Sequence, residues 1–405
     1  MSAPVTRPEI NQILLELTQP IGREDPYPRY DILRRTAPIA MAPDGALVLT
    51  RYADCDGVLR DPRYGRADTD EVFGPVGPPD WREHPAVYTF STSMLSVNPP
   101  LHTRLRGLVS RVFTARQVAA LRPAVAALVD ELVPGLEGSV DFIDAFAFPL
   151  PVSVIGELLG IPESDRLAFQ PLVRDWTMVL DVFTPEILQR ADTAAAAIRE
   201  YLTDLAAERR RQPREDLLSG LVAATDSGER LSDDELVTMA ALLFAAGFET
   251  TTHLLGNGLV ALLDHPEQIQ LLRGEPQLAA TAVEELLRYD SPVQITGRTA
   301  ADDTQIDGVP VSAGDRVVCY LGAANRDPER FADPGRLDIT REQSSPLSFG
   351  GGIHYCLGAP LARLEAQLAV PALLAGYPDL RLAGDPERRD SLTLRGYLSL
   401  PISTG

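Results

Sequence analysis

The amino-acid sequence predicts a mainly α-helical protein with a small β portion, and three observations carry that reading. Apolar residues recur at three- and four-residue intervals over long stretches, and clear strand signals are few. One apolar-periodic run of about 32 residues, at 1.5 Å per residue, would make a helix of about 48 Å, enough to cross a whole core.

In chain order, ALVLTRY (46–52) is the first strand signal, rich in Val, Leu and Tyr between turn residues. The stretch from Gly65 to Pro100 is dense in Pro and Gly and reads as a long irregular loop, a kind that often carries function. LRPAVAALVDELVPGL (121–136) and ADTAAAAIREYLTDLAAERRR (191–211) have helical periodicity. The charge run ERRRQPRED (208–216) reads as a solvated helix end and loop. Ser232 and Glu235, in SDDE, form a capping-box pattern ahead of the long run, which continues to Asp264 and is followed by Pro266. RVVCYLG (316–322) is the second strand signal. No linker divides the chain, so residues 1–405 read as one domain.

The bulk numbers exclude several functions. A hydrophobic fraction of 45% and a charged fraction of 23% are those of an ordinary globular protein. A net charge of −20 would repel phosphate backbones, so nucleic acid is not an expected partner. Cys55, Cys319 and Cys356 are an odd number, widely spaced, with no CxxC pair. Neither a disulfide framework nor a structural zinc site is expected from them, and a reducing compartment fits. The N-terminal MSAPVTRPEINQ has no apolar segment of secretory type. The most apolar window, MAALLFAAGF (239–248), stops at Glu249, short of the ~18 residues a membrane span needs. The expectation is a cytoplasmic protein without membrane contact.

Two stretches carry chemistry. AGFETT (246–251) places an acid and alcohols in the middle of the long helix. β-branched residues lower helix propensity and a buried carboxylate is costly unless paired, so Glu249 and Thr250 require a compensating reason. FGGGIHYCLGAP (349–360) has three glycines, which permit positive φ and close backbone approach, then His354, Cys356 and Pro360. Pro360 suits a first helical turn, which puts Cys356 just ahead of a helix N-terminus, where free N–H groups and the macrodipole stabilise a thiolate. Such a thiolate suits a nucleophile, a zinc ligand or an axial ligand to haem iron. Zinc needs three further ligands, and only His354 is near in sequence. A Cys–His nucleophile needs a base such as His102 or His253 and leaves the long helix unexplained. An iron ligand accounts for the glycines, the lone cysteine and the acid–alcohol pair together.

The stretch resembles the haem-ligand signature of the cytochromes P-450, FGxGxHxCxG, at Phe349, Gly350, Gly352, His354, Cys356 and Gly358. AGFETT resembles that family's oxygen-activation motif, with Glu249 and Thr250 as the acid–alcohol pair and Phe248 expected to shape the pocket wall. EELLR (284–288) resembles the ExxR motif, with Glu285 and Arg288, and Arg336 in DPGRLDITR is the expected third member of that ion network. HTRLR (102–106) and GRT (297–299) resemble the segments that carry haem-propionate partners, giving His102, Arg106 and Arg298, joined by His354. The motifs stand in the family's order, and the resemblance spans at least residues 98–360.

The resemblance implies the cytochrome P-450 fold, with haem b (iron protoporphyrin IX) on Cys356 between the long central helix and the helix after the Cys loop. It implies a monooxygenase that inserts one oxygen atom from O2 into a mostly apolar small organic substrate, such as a polyketide intermediate of secondary metabolism. Electrons would come from a separate ferredoxin or flavodoxin with its reductase. Residues 72–95 correspond to the variable loop that roofs the pocket, and 175–183 to the mobile lid. Arg104, Arg111, Arg116 and Arg363 flank the haem-binding segments and are expected to form a basic patch for an acidic redox partner. Alternatives on the same fold are a peroxygenase or oxidative-coupling enzyme, and a non-catalytic haem-thiolate protein that needs no acid–alcohol pair. A cysteine hydrolase would be active without haem.

Overall fold

The computed structural model describes residues 6–67, 78, 80–181, 184–226, 229–342 and 344–405. Parts of the expected roof (72–77 and 79) and lid (182 and 183) lie outside the described residues. Five short strands, Ile39–Met41 (β1), Leu47–Leu49 (β2), Tyr64–Gly65 (β3), Ile295–Ala300 (β4) and Arg316–Tyr320 (β5), form a mixed sheet in the order β1-β2-β5-β4-β3. The two strands signalled in the sequence, β2 and β5, pair in parallel with Val48 beside Val318. A parallel pair requires a crossover, and here the crossover contains most of the helices. The other pairings are antiparallel, and β3 on β4 sets Gly65 against Thr299, which brings residue 66 alongside residue 298.

The helices that position the site are Tyr52–Arg60 (α1), Pro85–Ser91 (α2), Leu101–Val112 (α3), Pro149–Leu159 (α4), Phe169–Thr177 (α5), Pro185–Arg211 (α6), Asp233–Leu263 (α7), Ala279–Tyr289 (α8) and Ala359–Gly376 (α9). The expected loop from Gly65 to Pro100 contains α2, which begins on Pro85, where a missing N–H does no harm. The 121–136 segment is helical over Arg122–Leu132 and tightens into a 3-10 turn at Val133–Leu136, where Pro134 cannot donate to the α ladder. The charge run 208–216 is not all solvated. Arg209 is buried, with Nε donating to Asp216 Oδ2 at 2.5 Å and Nη2 to the Gly160 carbonyl at 2.6 Å.

Helix α7 has 31 residues, about 46 Å of axis. Its capping box is formed as the sequence indicates: Glu235 N–H donates to Ser232 Oγ (3.2 Å) and Ser232 N–H to Glu235 Oε2 (2.9 Å). Helices α4, α6, α8 and α9 pack around it, which is why it is apolar on nearly every side. No single described helix is long and apolar enough to cross a membrane.

Candidate active site

Leu242, Leu243, Ala246, Gly247, Thr250, Thr251 and Leu254 of α7 line one cavity. Their three- and four-residue spacing makes them a single stripe on the helix. The facing wall is Phe349, Gly350, His354, Cys356, Leu357 and Gly358, continued by Leu361 and Ala362 of α9. The space between them is about 1430 Å³, its open mouth included.

The loop bearing Cys356 is closed by its own backbone, the Cys356 N–H donating to the Phe349 carbonyl at 2.9 Å. Gly350 has φ 68° and Gly352 φ 63°, and a Cβ on Gly352 would lie 2.2 Å from the Leu59 carbonyl of α1, so this turn accepts only glycine there. Gly358 caps α9. Burial pushes the Cys356 thiol up; the backbone N–H groups of Gly358 and Ala359 and the charges of Arg106 and Arg363 oppose it. Cys356 is half-buried because the cavity reaches it, whereas Cys55 and Cys319 are fully buried.

At the cavity's edge the four expected cationic or imidazole groups converge. The His102 and His354 rings are 4.3 Å apart, and the Nε2 of each is buried without a partner. Arg106 Nη2 donates to the Tyr355 carbonyl at 2.7 Å, and Arg298, 4% exposed, donates from Nη1 to the Gly297 carbonyl at 2.8 Å. Neither arginine has a carboxylate partner among the described residues. Burial lowers His102, aided by Arg106 and Arg66. Burial, with Arg66, His102, Arg298 and Arg106 around it, pushes His354 down to about 2. A wall with uncompensated guanidiniums and two orphaned ring nitrogens fits a buried dianion. Together with the flat apolar walls and one accessible sulfur, it fits haem, an apolar ring with two carboxylates.

Thr250 presents its hydroxyl on the cavity stripe, where Oγ1 donates to the Ala246 carbonyl at 3.1 Å. Glu249 does not line the cavity. One residue is about 100° of helix rotation, and on that other face Arg389 Nη1 donates to Glu249 Oε1 at 2.5 Å while His253 Nε2 lies 3.5 Å from the same oxygen. Arg389 Nη2 also donates to Thr177 Oγ1 at 2.9 Å, at the end of α5. Burial pushes the Glu249 carboxyl up, but His253 and Arg389 outweigh it and hold it at about 2. Phe248 is likewise off the cavity wall, in an aromatic cluster with Phe148 (5.4 Å) and Phe244 (5.3 Å). Of the expected roof, Met94 and Leu95 line the cavity. Trp176 of the expected lid is core instead, stacked on Phe90 at 4.5 Å with Nε1 donating to the Ala86 carbonyl at 3.0 Å.

Behind the Cys loop, Glu285 and Arg288 are both 0% exposed and bonded twice, Nε to Oε2 at 2.7 Å and Nη2 to Oε1 at 2.8 Å. The expected third member needs correction. Arg336 contributes its carbonyl, which accepts from Arg288 Nη2 at 3.1 Å, and the side chain that reaches Glu285 is Arg341, from Nε to Oε2 at 3.1 Å. Arg288 Nη1 also donates to the carbonyls of Asn325 (3.0 Å) and Pro334 (2.8 Å). Asn325 Oδ1 in turn accepts from Leu347 N–H at 2.7 Å, and its Nδ2 donates to Ser348 Oγ at 2.9 Å, next to Phe349. Two members of the expected basic patch have carboxylate partners: Arg104 pairs with Glu235 and Arg363 with Glu284. Arg111 and Arg116 are exposed.

A family model described as Cytochrome P450 matches residues 166–391. Over 378 residues the chain is 45% identical to cytochrome P450 107B1 of Saccharopolyspora erythraea, covering 89% of each chain. Over 393 residues it is 43% identical to a vitamin D(3) 25-hydroxylase of Pseudonocardia autotrophica, covering 94% of each. Among solved structures, the cytochrome P450 PksS of the bacillaene polyketide synthase of Bacillus subtilis matches with a TM-score of 0.86 at 38% identity, covering 96% of this chain and 99% of that one. The helix that crosses the core, the sulfur facing it and these likenesses agree: the chain belongs to the cytochrome P450 family of monooxygenases, whose cofactor is a haem iron.

Proposed function

We propose that the chain uses haem b, whose iron the Cys356 sulfur would hold, to insert one oxygen atom from O2 into a mostly apolar small organic substrate. One observation supports this above the rest: the single half-buried cysteine faces the Thr250 stripe across a cavity whose rim carries guanidiniums with no carboxylate among the described residues. Haem iron, when bound, supplies the centre at which O2 is reduced and its O–O bond broken. The remaining work belongs to the chain.

Cys356 Sγ provides the thiolate, steadied by the N–H groups of Gly358 and Ala359 at the start of α9. Arg106, Arg298, His102 and His354 would hold the cofactor's carboxylates. Thr250 Oγ1, released from the Ala246 carbonyl, offers a proton at the cavity wall. Glu249 reaches the cavity only by leaving Arg389, so we assign it the outer, charged end of the proton path. Glu285, Arg288 and Arg341 position the Cys loop. Leu242, Leu243 and Leu254 exclude water from the same wall.

Met94, Leu95, Leu243 and Val293 make the accessible wall apolar, which supports a polyketide or similarly apolar substrate of secondary metabolism. A relative named for vitamin D3 and a neighbour named for a polyketide synthase are in keeping with that class. We assign electron delivery to a separate ferredoxin or flavodoxin, and the whole chain to one cytoplasmic domain. The test is spectral. Reduced protein under CO should show a strongly red-shifted Soret band that Cys356→Ser abolishes, and macrolactone-type ligands should shift the spin state of the oxidised protein. Colourless protein with full oxygenase activity would overturn the proposal.

A further inference from the structure

Arg66 was not singled out by any motif, yet it lines the same cavity as Arg106, Arg298 and His354. The pairing of β3 with β4 brings it beside Arg298, and the two side chains converge on the same acceptors. Arg66 Nη1 donates to Thr296 Oγ1 (3.2 Å) and the Gly297 carbonyl (3.1 Å); Arg298 Nη1 donates to the same hydroxyl (3.3 Å) and the same carbonyl (2.8 Å). Two guanidiniums that share neutral acceptors repel each other, and no carboxylate among the described residues separates them. Arg66 Nε is buried with no partner, and Arg66 lines the same cavity as Arg298 and His354. Burial and Arg298 together depress the Arg66 guanidinium to about 9, the response expected of a cation whose counter-charge is not part of the protein.

Its position is fixed in advance. Arg66 N–H donates to Asn98 Oδ1 at 2.7 Å, and Asn98 Nδ2 donates back to the Arg66 carbonyl at 2.8 Å. Asn98 also accepts, at its own carbonyl, the His102 N–H at 2.9 Å, so the backbone of Arg66 is clamped to the start of the helix that carries His102 and Arg106. A Cβ on Gly65 would come within 2.7 Å of Asn98 Oδ1, so that the preceding glycine is what lets the clamp close.

We infer that Arg66 is a third guanidinium of the haem-carboxylate cradle, set beside Arg298 and held there by Asn98. The inference rests on the haem reading above. It makes a claim separate from activity, because a carboxylate-holding cation governs how long haem stays bound.

The experiment is haem transfer from holoprotein to excess apomyoglobin, followed at the Soret band, for wild type, Arg66→Met and Arg66→Lys. Loss of one charge-assisted contact should speed transfer from Arg66→Met by about tenfold or more, with Arg66→Lys in between. The same proteins reconstituted with haem dimethyl ester, which has no carboxylates, should release it at rates equal within about twofold, since the contact in question is absent from all of them. Equal rates with ordinary haem would overturn the inference. So would a difference that persists with the dimethyl ester, since Arg66 would then act only by bracing Thr296 and Gly297. Unchanged haem transfer with weakened binding of carboxylic-acid ligands, read by the spin-state shift, would assign Arg66 to substrate instead. Wild-type protein that takes up no haem would strike at the cofactor reading and not at this one.

Discussion

Exchanging Arg389 for Met tests the finding that the carboxylate of the acid–alcohol pair is locked away from the cavity. Side-chain exposures of 7% for Arg389 and 6% for Glu249 put the pair beyond the solvent screening that weakens surface ion pairs. Removing one partner of such a pair leaves a buried uncompensated charge, at a cost of about 3–5 kcal/mol. Linkage gives the scale of the whole surroundings, His253 as well as Arg389: a carboxyl held at about 2 instead of 4.5 corresponds to roughly 3 kcal/mol. The folded value lies below the unfolded one, so this stability is fully present above 4.5 and is lost as pH falls toward about 2. By about pH 4 close to 1 kcal/mol of it should be gone. The assay is urea unfolding of wild type, Arg389→Met, Glu249→Gln and the double variant. Each single variant should lose about 3 kcal/mol near neutral pH, and the double variant much less than their sum, a coupling of about 2–3 kcal/mol. The gap between wild type and Arg389→Met should stay flat from about pH 8 to 5 and narrow below 4.5. A coupling below about 0.5 kcal/mol, or a gap at pH 4 equal to that at pH 7, would refute the reasoning.

Three further outcomes are expected. Thr250→Ala should keep its haem and its CO spectrum, while product formed per electron pair falls by about tenfold or more; undiminished coupling would remove the hydroxyl from the proton path. Arg341→Leu should lower unfolding stability by about 1.5–3 kcal/mol, because it deprives the buried Glu285 of a charged donor, whereas Arg336→Leu should stay within about 0.5 kcal/mol. Gly352→Ala combines a φ of 63° with a Cβ placed 2.2 Å from the Leu59 carbonyl. A strain of about 1–3 kcal/mol or more should show as a reduced fraction of red-shifted CO complex in protein whose helical circular dichroism is unchanged.

The parts of the fold legible in the sequence are those fixed by local chemistry. Ser232 and Glu235 announce the start of α7 because a capping box is a three-residue contact, and the β2 and β5 segments announce themselves by side-chain type. The Cys loop is legible for the same reason: positive φ at Gly350 and Gly352 and the Pro360 start of α9 are short-range demands. What the sequence left open is which distant group answers each local demand. A glutamate inside an apolar helix requires a counter-charge, but nothing in the spacing selects Arg389, 140 residues away, from 37 basic residues. Arg341 replaced Arg336 for a similar reason, since both lie in one irregular segment and only its folded path decides which side chain points to Glu285. The motif AGFETT names an acid–alcohol pair, but adjacent residues on a helix lie about 100° apart, so Thr250 faces the cavity while Glu249 faces Arg389.

The Thr250 hydroxyl and the Glu285–Arg288 pair should therefore fail in different ways. Under the proposed function Thr250 acts through one hydroxyl on α7, so its loss should touch chemistry and little else. The Glu285–Arg288 pair never meets the cavity. It acts through a sequence of contacts in which Arg288 fixes the Asn325 carbonyl, Asn325 fixes Leu347 and Ser348, and the next residue, Phe349, closes the hairpin on Cys356. A buried ion pair is a weak source of net stability compared with apolar packing, but it has a narrow choice of geometry. Removing Arg288 would leave Glu285 and the carbonyls of Pro334, Asn325 and Arg336 short of a donor at once. The segment that feeds the Cys loop would then have no single resting position, and under the proposed function, in which the Cys356 sulfur would hold a metal, that sulfur is the first group to register the loss.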